Sequence, residues 1–325
     1  MIFEDESVSI VQFQRAQFAV EGACHSGPHK NRLPESYRRL LITVLVVGIP
    51  SFAQVPERIS VQSRDGTRIS VQKTGSGPAL LLVHGSTIDG TAWQRVLPEL
   101  SKHFTVYVMD RRGHGSSGDA RTYAISAEAD DIAAVTSAIG QPLTLLGHSY
   151  GALCVLVALD RLQHVRQLIL YEPPLTADNS SPPRDDSRRT IAKMDQALEA
   201  NDKEEVLTLF LRDLAKIPAE DIATMKASPN WAARVSMASA LPRELHAMMS
   251  LRISKNALAR CKMPVTMLLG STSPDSTRET TNFICQSISS CQVTMLEGQG
   301  HLAPVFAPDL FVTKVQKAMA QVGQR

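Results

Sequence analysis

Six short apolar runs set the strongest limit on how this chain can fold: ALLLVHG (79–85), FTVYVMD (104–110), LTLLGHS (143–149), VRQLILYE (165–172), PVTMLLG (264–270) and QVTMLEG (292–298). None alternates apolar with polar side chains, so none presents one face to water. Strands of that kind are covered on both faces, as in parallel sheets. Parallel neighbours need a crossover of a dozen or more residues, and amphipathic stretches such as residues 126–139 fit crossover helices. Before the first run, RISVQSRDGTRISVQKTG alternates about Asp65 and Gly66, a hairpin signal. The expected architecture is α/β: an open, mostly parallel sheet flanked by helices, with an antiparallel hairpin at one edge.

The interval between Glu172 and Pro264 is too long for a single crossover. It opens on PPLTADNSSPPRDDS, a linker-like patch, and continues in helical patterns. In DKEEVLTLFLRDLAKI, Asp202 and Glu205 stand as a capping box. Val206, Phe210 and Leu214, with Leu207 and Leu211 alongside, make one apolar face. This reads as a helical cap, residues 173–257, inserted into a core made of residues 54–172 and 258–325. The cap carries Met194, Met225, Met237, Met248 and Met249. Methionines adapt to irregular pockets, but filling gaps between helices is their commoner use.

Residues 1–53 are of another kind. YRRLLITVLVVGIPSFAQVPE has a basic pair, Arg38 and Arg39, an apolar run over 40–49 and small residues at Ser51 and Ala53. That is the order of a secretory signal peptide, with cleavage expected after Ala53 and a secreted or periplasmic product. The run is too short to span a bilayer, which takes about 20 residues. A buried strand seldom carries two arginines before it and S-x-A after it. Removal of the leader takes Cys24 and leaves Cys154, Cys261, Cys285 and Cys291, an even count that permits a disulfide. Cys154 falls on an apolar side, where packing is its expected role. The remaining composition is that of a globular domain, 43% hydrophobic and 20% charged. A net charge of +2 gives no basic field for nucleic acid.

Polar residues cluster where the apolar runs end, the place where open α/β sheets bind ligands. His84, Gly85 and Ser86 follow one run; DRRGHGSS follows another; Gly147, His148, Ser149, Tyr150 and Gly151 follow a third; Glu172 ends a fourth; GQGH, closing on His301, follows the last. A lone G-x-S-x-G decides nothing, because glycine and serine are common in loops. Several such motifs in this order carry more. Over residues 57–325 the chain resembles the α/β-hydrolase family, in the branch with a serine nucleophile and a helical cap.

That resemblance implies a nucleophile elbow at Ser149, whose flanking glycines let strand and helix approach. A hydroxyl needs a base to take its proton, and imidazole suits the task. His301, after the last strand, is in the family's place for it; His84, His114 and His148 read as structural. Two carboxylates compete to orient the base. Family members commonly carry an aspartate three residues beyond the glycine ending the penultimate strand. Ser273 stands there, with Asp275 two positions later. A second family arrangement puts the acid after the strand that follows the nucleophile helix, where Glu172 stands, 23 residues beyond Ser149. Glu172 is the favoured acid and Asp275 the alternative. Backbone N–H groups of Tyr150 and Ser86 would form the oxyanion hole, and Asp110 with its glycines would build a turn. The strand order that comes with the resemblance puts Cys261 and Cys291 at one edge, hence an expected bridge between those two.

The resemblance implies an esterase-like or lactonase-like serine hydrolase acting on a small ester, lactone or thioester through an acyl-enzyme. A serine at 149 argues against the aspartate-dependent dehalogenases and epoxide hydrolases. No zinc, phosphate-loop or dinucleotide spacing is present, and no cofactor is implied. The same scaffold also hosts lyases, cofactor-free oxidative enzymes and ligand-binding receptors.

Overall fold

The computed structural model describes residues 56–175, 185–215, 217 and 219–320. The expected leader, residues 1–53 with the expected cleavage point after Ala53, and residues 176–184 of the linker lie outside the described residues.

Eight strands form one sheet among the described residues: β1 (Glu57–Gln62), β2 (Arg68–Thr74), β3 (Ala79–Val83), β4 (Thr105–Met109), β5 (Leu143–His148), β6 (Val165–Tyr171), β7 (Val265–Gly270) and β8 (Cys291–Leu296). Their spatial order is β1-β2-β4-β3-β5-β6-β7-β8. β1 pairs with β2 and β2 with β4 antiparallel, and every later pair is parallel. The hairpin and the parallel run both stand where the sequence puts them. Gly66, at φ 85°, takes the left-handed position of the hairpin turn that glycine tolerates.

The unalternating strands follow from coverage on both faces. Along β3, Leu81 and Val83 enter one apolar cluster and Leu80 and Leu82 the other. The first cluster is closed by α2 (Ile125–Ile139), α3 (Tyr150–Ala158) and α10 (Asp275–Ser287), through Ile132, Leu153 and Ile284. The second is closed by Trp93, by Leu100 of α1 (Leu97–Leu100), and by Phe311 and Val315 of α12 (Pro308–Ala320). Each fully buried Leu or Ile stabilises the fold by about 1.5–3 kcal/mol. β8 departs from the pattern, because it is the edge strand and leaves Val293 44% exposed.

Between β6 and β7 the described residues form α4 (Asp185–Glu199), α5 (Lys203–Leu209), α6 (Ala219–Lys226), α7 (Trp231–Met237), α8 (Leu241–Ser250) and α9 (Lys255–Ala259). Most of these helices share an apolar cluster of their own, around Met194, Val206, Leu207, Trp231 and Leu241. Asp202 caps α5, accepting from Glu205 N at 2.9 Å. The expected single helix widens to a π-turn over Phe210–Leu214. Met194 is buried in that cluster, and Met225, Met248 and Met249 pack against it. Those four methionines serve helix packing, while Met237 lines a crevice at the seam with the core.

The cysteine pairing differs from expectation. Cys285, in the last turn of α10, is bonded to Cys291 at the start of β8; Cys154 and Cys261 are free and buried. The β7–β8 register explains it: Cys291 lies opposite Val265, so Cys261 falls beyond the start of β7. The helix α10 returns the chain to that edge and brings Cys285 there instead.

Parallel register sends the chemistry to one rim. Val83 pairs with Met109 and Gly147, Gly147 with Leu170, and Tyr171 with Leu268. The residues just past these partners are His84, Asp110, Ser149 and Glu172.

Candidate active site

Ser149 sits between β5 and α3 at φ 54°, ψ −126°, a backbone conformation that side chains larger than hydrogen rarely adopt. The turn is locked on both sides: Ser149 N–H donates to Tyr171 O at 2.8 Å, and Leu153 N–H donates to Ser149 O at 3.1 Å. The flanking glycines are sterically required. A Cβ on Gly151 would stand 2.3 Å from His84 O, and one on Gly147 2.7 Å from Ala152 Cα. A Cβ on Gly85 would meet Ser149 Cβ at 2.9 Å, so the His84 to Ser86 loop lies against the serine.

The structure brings Glu172 and His301 together. His301 Nδ1 donates to Glu172 Oε2 at 2.7 Å. The other oxygen, Oε1, accepts from Gly270 N–H at 2.8 Å and Ser273 Oγ at 2.5 Å. Burial pushes this carboxyl up, but the bonds from His301, Ser273 and Gly270 outweigh it, and its pKa lies below the usual value. The Glu172 side chain is 1% exposed and that of His301 45% exposed, so the imidazole is fixed on one side and open on the other. Asp275 is placed elsewhere: its side chain is 97% exposed, begins α10 and faces Arg278 at 3.8 Å. The Ser149 hydroxyl makes no hydrogen bond among the described residues.

Several supports were not legible in the sequence. Tyr171 OH donates to Gly300 O and accepts from Ala303 N–H at 3.2 Å, gripping the His301 loop from both sides. His148 Nε2 donates to His301 O at 3.0 Å, and the two rings lie 4.7 Å apart. Burial holds the His148 pKa well below the usual value, so it remains neutral beside His301. His84 and His114 are buried, as structural histidines should be. Asp110 has the expected turn role, accepting from Gly90 N–H at 2.9 Å and Ser116 N–H at 2.8 Å.

The amide of Tyr150 opens α3, where helix geometry leaves N–H groups without an intrahelical acceptor. Ser86 N–H likewise has no acceptor among the described residues. Both residues adjoin positions packed beside the Ser149 side chain, Ser149 itself and Gly85. A 190 Å³ crevice lined by Ile88, Gln94, Arg234, Met237 and Val305 runs along the seam between the core and the helical insertion. Two of these lie just past Ser86 and His301 in the chain.

An eight-stranded sheet carrying a strained serine at one strand end, and a carboxylate-bound histidine at the same rim, agrees with the sequence comparison. The sequence model of the alpha/beta hydrolase family matches residues 80–314. The chain belongs to the alpha/beta hydrolase family. An alpha/beta hydrolase from Sphaerobacter thermophilus is 30% identical, with a TM-score of 0.71, over 80% of this chain and all of that one. An esterase from Rhodococcus sp. shares the fold at 24% identity and a TM-score of 0.64, over 82% of this chain and 99% of that one. The N-formylmaleamate deformylase of Pseudomonas putida is 39% identical over 106 residues, 31% of this chain and 40% of that protein. The chain spans only 29% to 40% of the length of curated relatives such as the deformylase. Among the described residues of this alpha/beta hydrolase, no helix is long and apolar enough to cross a membrane.

Proposed function

We propose that this alpha/beta hydrolase is an exported serine hydrolase that cleaves a carboxylic ester, lactone or thioester through an acyl-enzyme on Ser149. The observation that carries the reading is the 2.7 Å bond between His301 and a Glu172 whose other oxygen is already occupied. With Nδ1–H committed to Glu172, the remaining ring nitrogen, Nε2, is the one available to take a proton.

In the proposed reaction His301 Nε2 removes the Ser149 proton as Oγ attacks the acyl carbon. Glu172 holds the ring's orientation and stabilises the imidazolium that forms. The oxyanion meets the N–H groups of Ser86 and Tyr150, each worth about 3–4 kcal/mol in such sites. Collapse expels the alcohol or thiol, which leaves with the proton from His301. Water, activated by the same imidazole, then releases the acid and frees Ser149. The helical insertion, residues 173–257, acts as the cap over the acyl pocket. Export rests on the signal-like order of residues 38–53.

A fluorophosphonate probe tests this reading: it labels the wild type and fails to label Ser149→Ala. A panel of esters graded by acyl length, extended to thioesters, lactones and an N-formyl amide, then defines the substrate. Labelling without turnover of any acyl compound favours a lyase or receptor on the same scaffold. N-terminal sequencing of the exported protein, expected to begin at Gln54, tests the leader.

A further inference from the structure

The peptide joining Gly85 to Ser86 is held at both ends by buried charge. Its carbonyl oxygen accepts from His84 Nδ1 at 2.8 Å and from Arg111 Nη1 at 3.2 Å. The His84 tautomer is fixed, because Arg111 N–H donates to its Nε2 at 3.0 Å. On the other side Ser86 Oγ donates to Glu244 Oε2 at 2.5 Å. Glu244 Oε1 accepts from Arg111 Nη2 at 2.6 Å, and Arg111 is itself forked onto Glu128 at 3.1 Å and 2.5 Å. Arg111, Glu128 and Glu244 are all buried. Glu244 belongs to α8 of the helical insertion and is 158 residues from Ser86 in the chain.

We infer that Glu244 is a positioning residue through which the helical insertion sets the aim of the Ser86 N–H. The inference rests on the oxyanion role proposed above. Its physics is local. A carbonyl that accepts hydrogen bonds polarises its peptide and makes the attached N–H a stronger donor, and here that N–H belongs to Ser86. An oxyanion donor works only if it is aimed before the charge develops, and losing one costs about 10²–10³ in kcat. Glu244 fixes both the side chain that follows the peptide and the guanidinium that binds its carbonyl. One buried cation between two buried anions is a poor device for attaching a helix, since an apolar seam of similar volume is often at least as stable. Fixing a geometry is what such a cluster does better.

The test compares wild type, Glu244→Gln, Ser86→Ala and the double variant on short-chain p-nitrophenyl esters. It also measures the affinity of phenylboronic acid, whose tetrahedral adduct places an oxygen in the oxyanion hole. Glu244→Gln should lower kcat about tenfold or more with KM little changed, and weaken the boronic acid by a similar factor. Ser86→Ala, which leaves the Arg111 pair in place, should lose part of the same factor. Adding Glu244→Gln to it should cost less than adding it to the wild type. Wild-type kcat in both single variants, or a loss confined to melting temperature, overturns the inference. If Glu244→Gln does not fold, Ser86→Ala decides alone, and an unchanged kcat overturns it. A wild type that neither hydrolyses these esters nor takes a fluorophosphonate fails the proposed function itself, which is a different result.

Discussion

The hydroxyl of Ser273 lies 2.5 Å from Glu172 Oε1, the oxygen turned away from His301. Ser273 occupies the position where many relatives are expected to carry an aspartate, and here it serves a carboxylate arriving from the neighbouring strand β6. A second carboxylate at that place would face Glu172 inside the protein, so a neutral donor suits it. Glu172→Gln should lower kcat by about 10⁴, the scale seen when a triad acid is neutralised in place. Ser273→Ala should give a smaller loss, and Asp275→Asn, altering a solvated side chain, none. Steady-state kinetics on one ester checks the order. Equal losses at Asp275 and Glu172 would contradict it.

The buried histidines set an acid limit on stability. Burial pushes His84 and His148 well below the usual imidazole value, and His114 below it too. The unfolded chain takes up protons below about pH 6.5 and the folded protein does not. Their contribution is therefore whole above that pH and is lost as pH falls towards the folded values. The depressed Glu172 acts in the same direction, lower on the scale. Urea midpoints should fall between about pH 7.5 and about pH 5. His148→Gln, which keeps a donor for His301 O, should show a shallower fall; equal slopes would mean that His148 burial does not set the acid limit.

What the sequence displayed depended on how far apart the partners are. Unalternating runs such as 79–85 name a two-sided strand within a few residues, and the elbow at Ser149 is a local motif, so the sheet and the serine were both legible. The choice between Glu172 and Asp275 was half legible: chain position marked both, and only three-dimensional packing puts Ser273 and Gly270 around one of them. Tyr171 carried no signal, since a strand tyrosine reads as core until its hydroxyl is seen between Gly300 and Ala303. Glu244 was hidden for the same reason. The cysteine pairing is not legible from strand adjacency alone, because register decides which residues share an edge and β7 begins four residues after Cys261.

The Cys285 to Cys291 bridge closes a loop with a sequence separation of 6, so its stabilisation is small, about 2 kcal/mol on loop-entropy grounds. Replacing both by serine should lower the urea midpoint accordingly and leave kcat unchanged, because the bridge ties α10 to the edge strand. Peptide mapping without reductant should show residues 285 and 291 linked, with Cys261 alkylated after unfolding. A bridge involving Cys261 would overturn the pairing.

The proposed acyl-enzyme is a covalent bond at Ser149. Rapid acid quench during turnover of a p-nitrophenyl ester, followed by intact-mass and peptide analysis, tests it most directly. A transient increase equal to the acyl group is expected on the peptide carrying Ser149, absent in Ser149→Ala. Turnover with no adduct, or an adduct on any other residue, would contradict it.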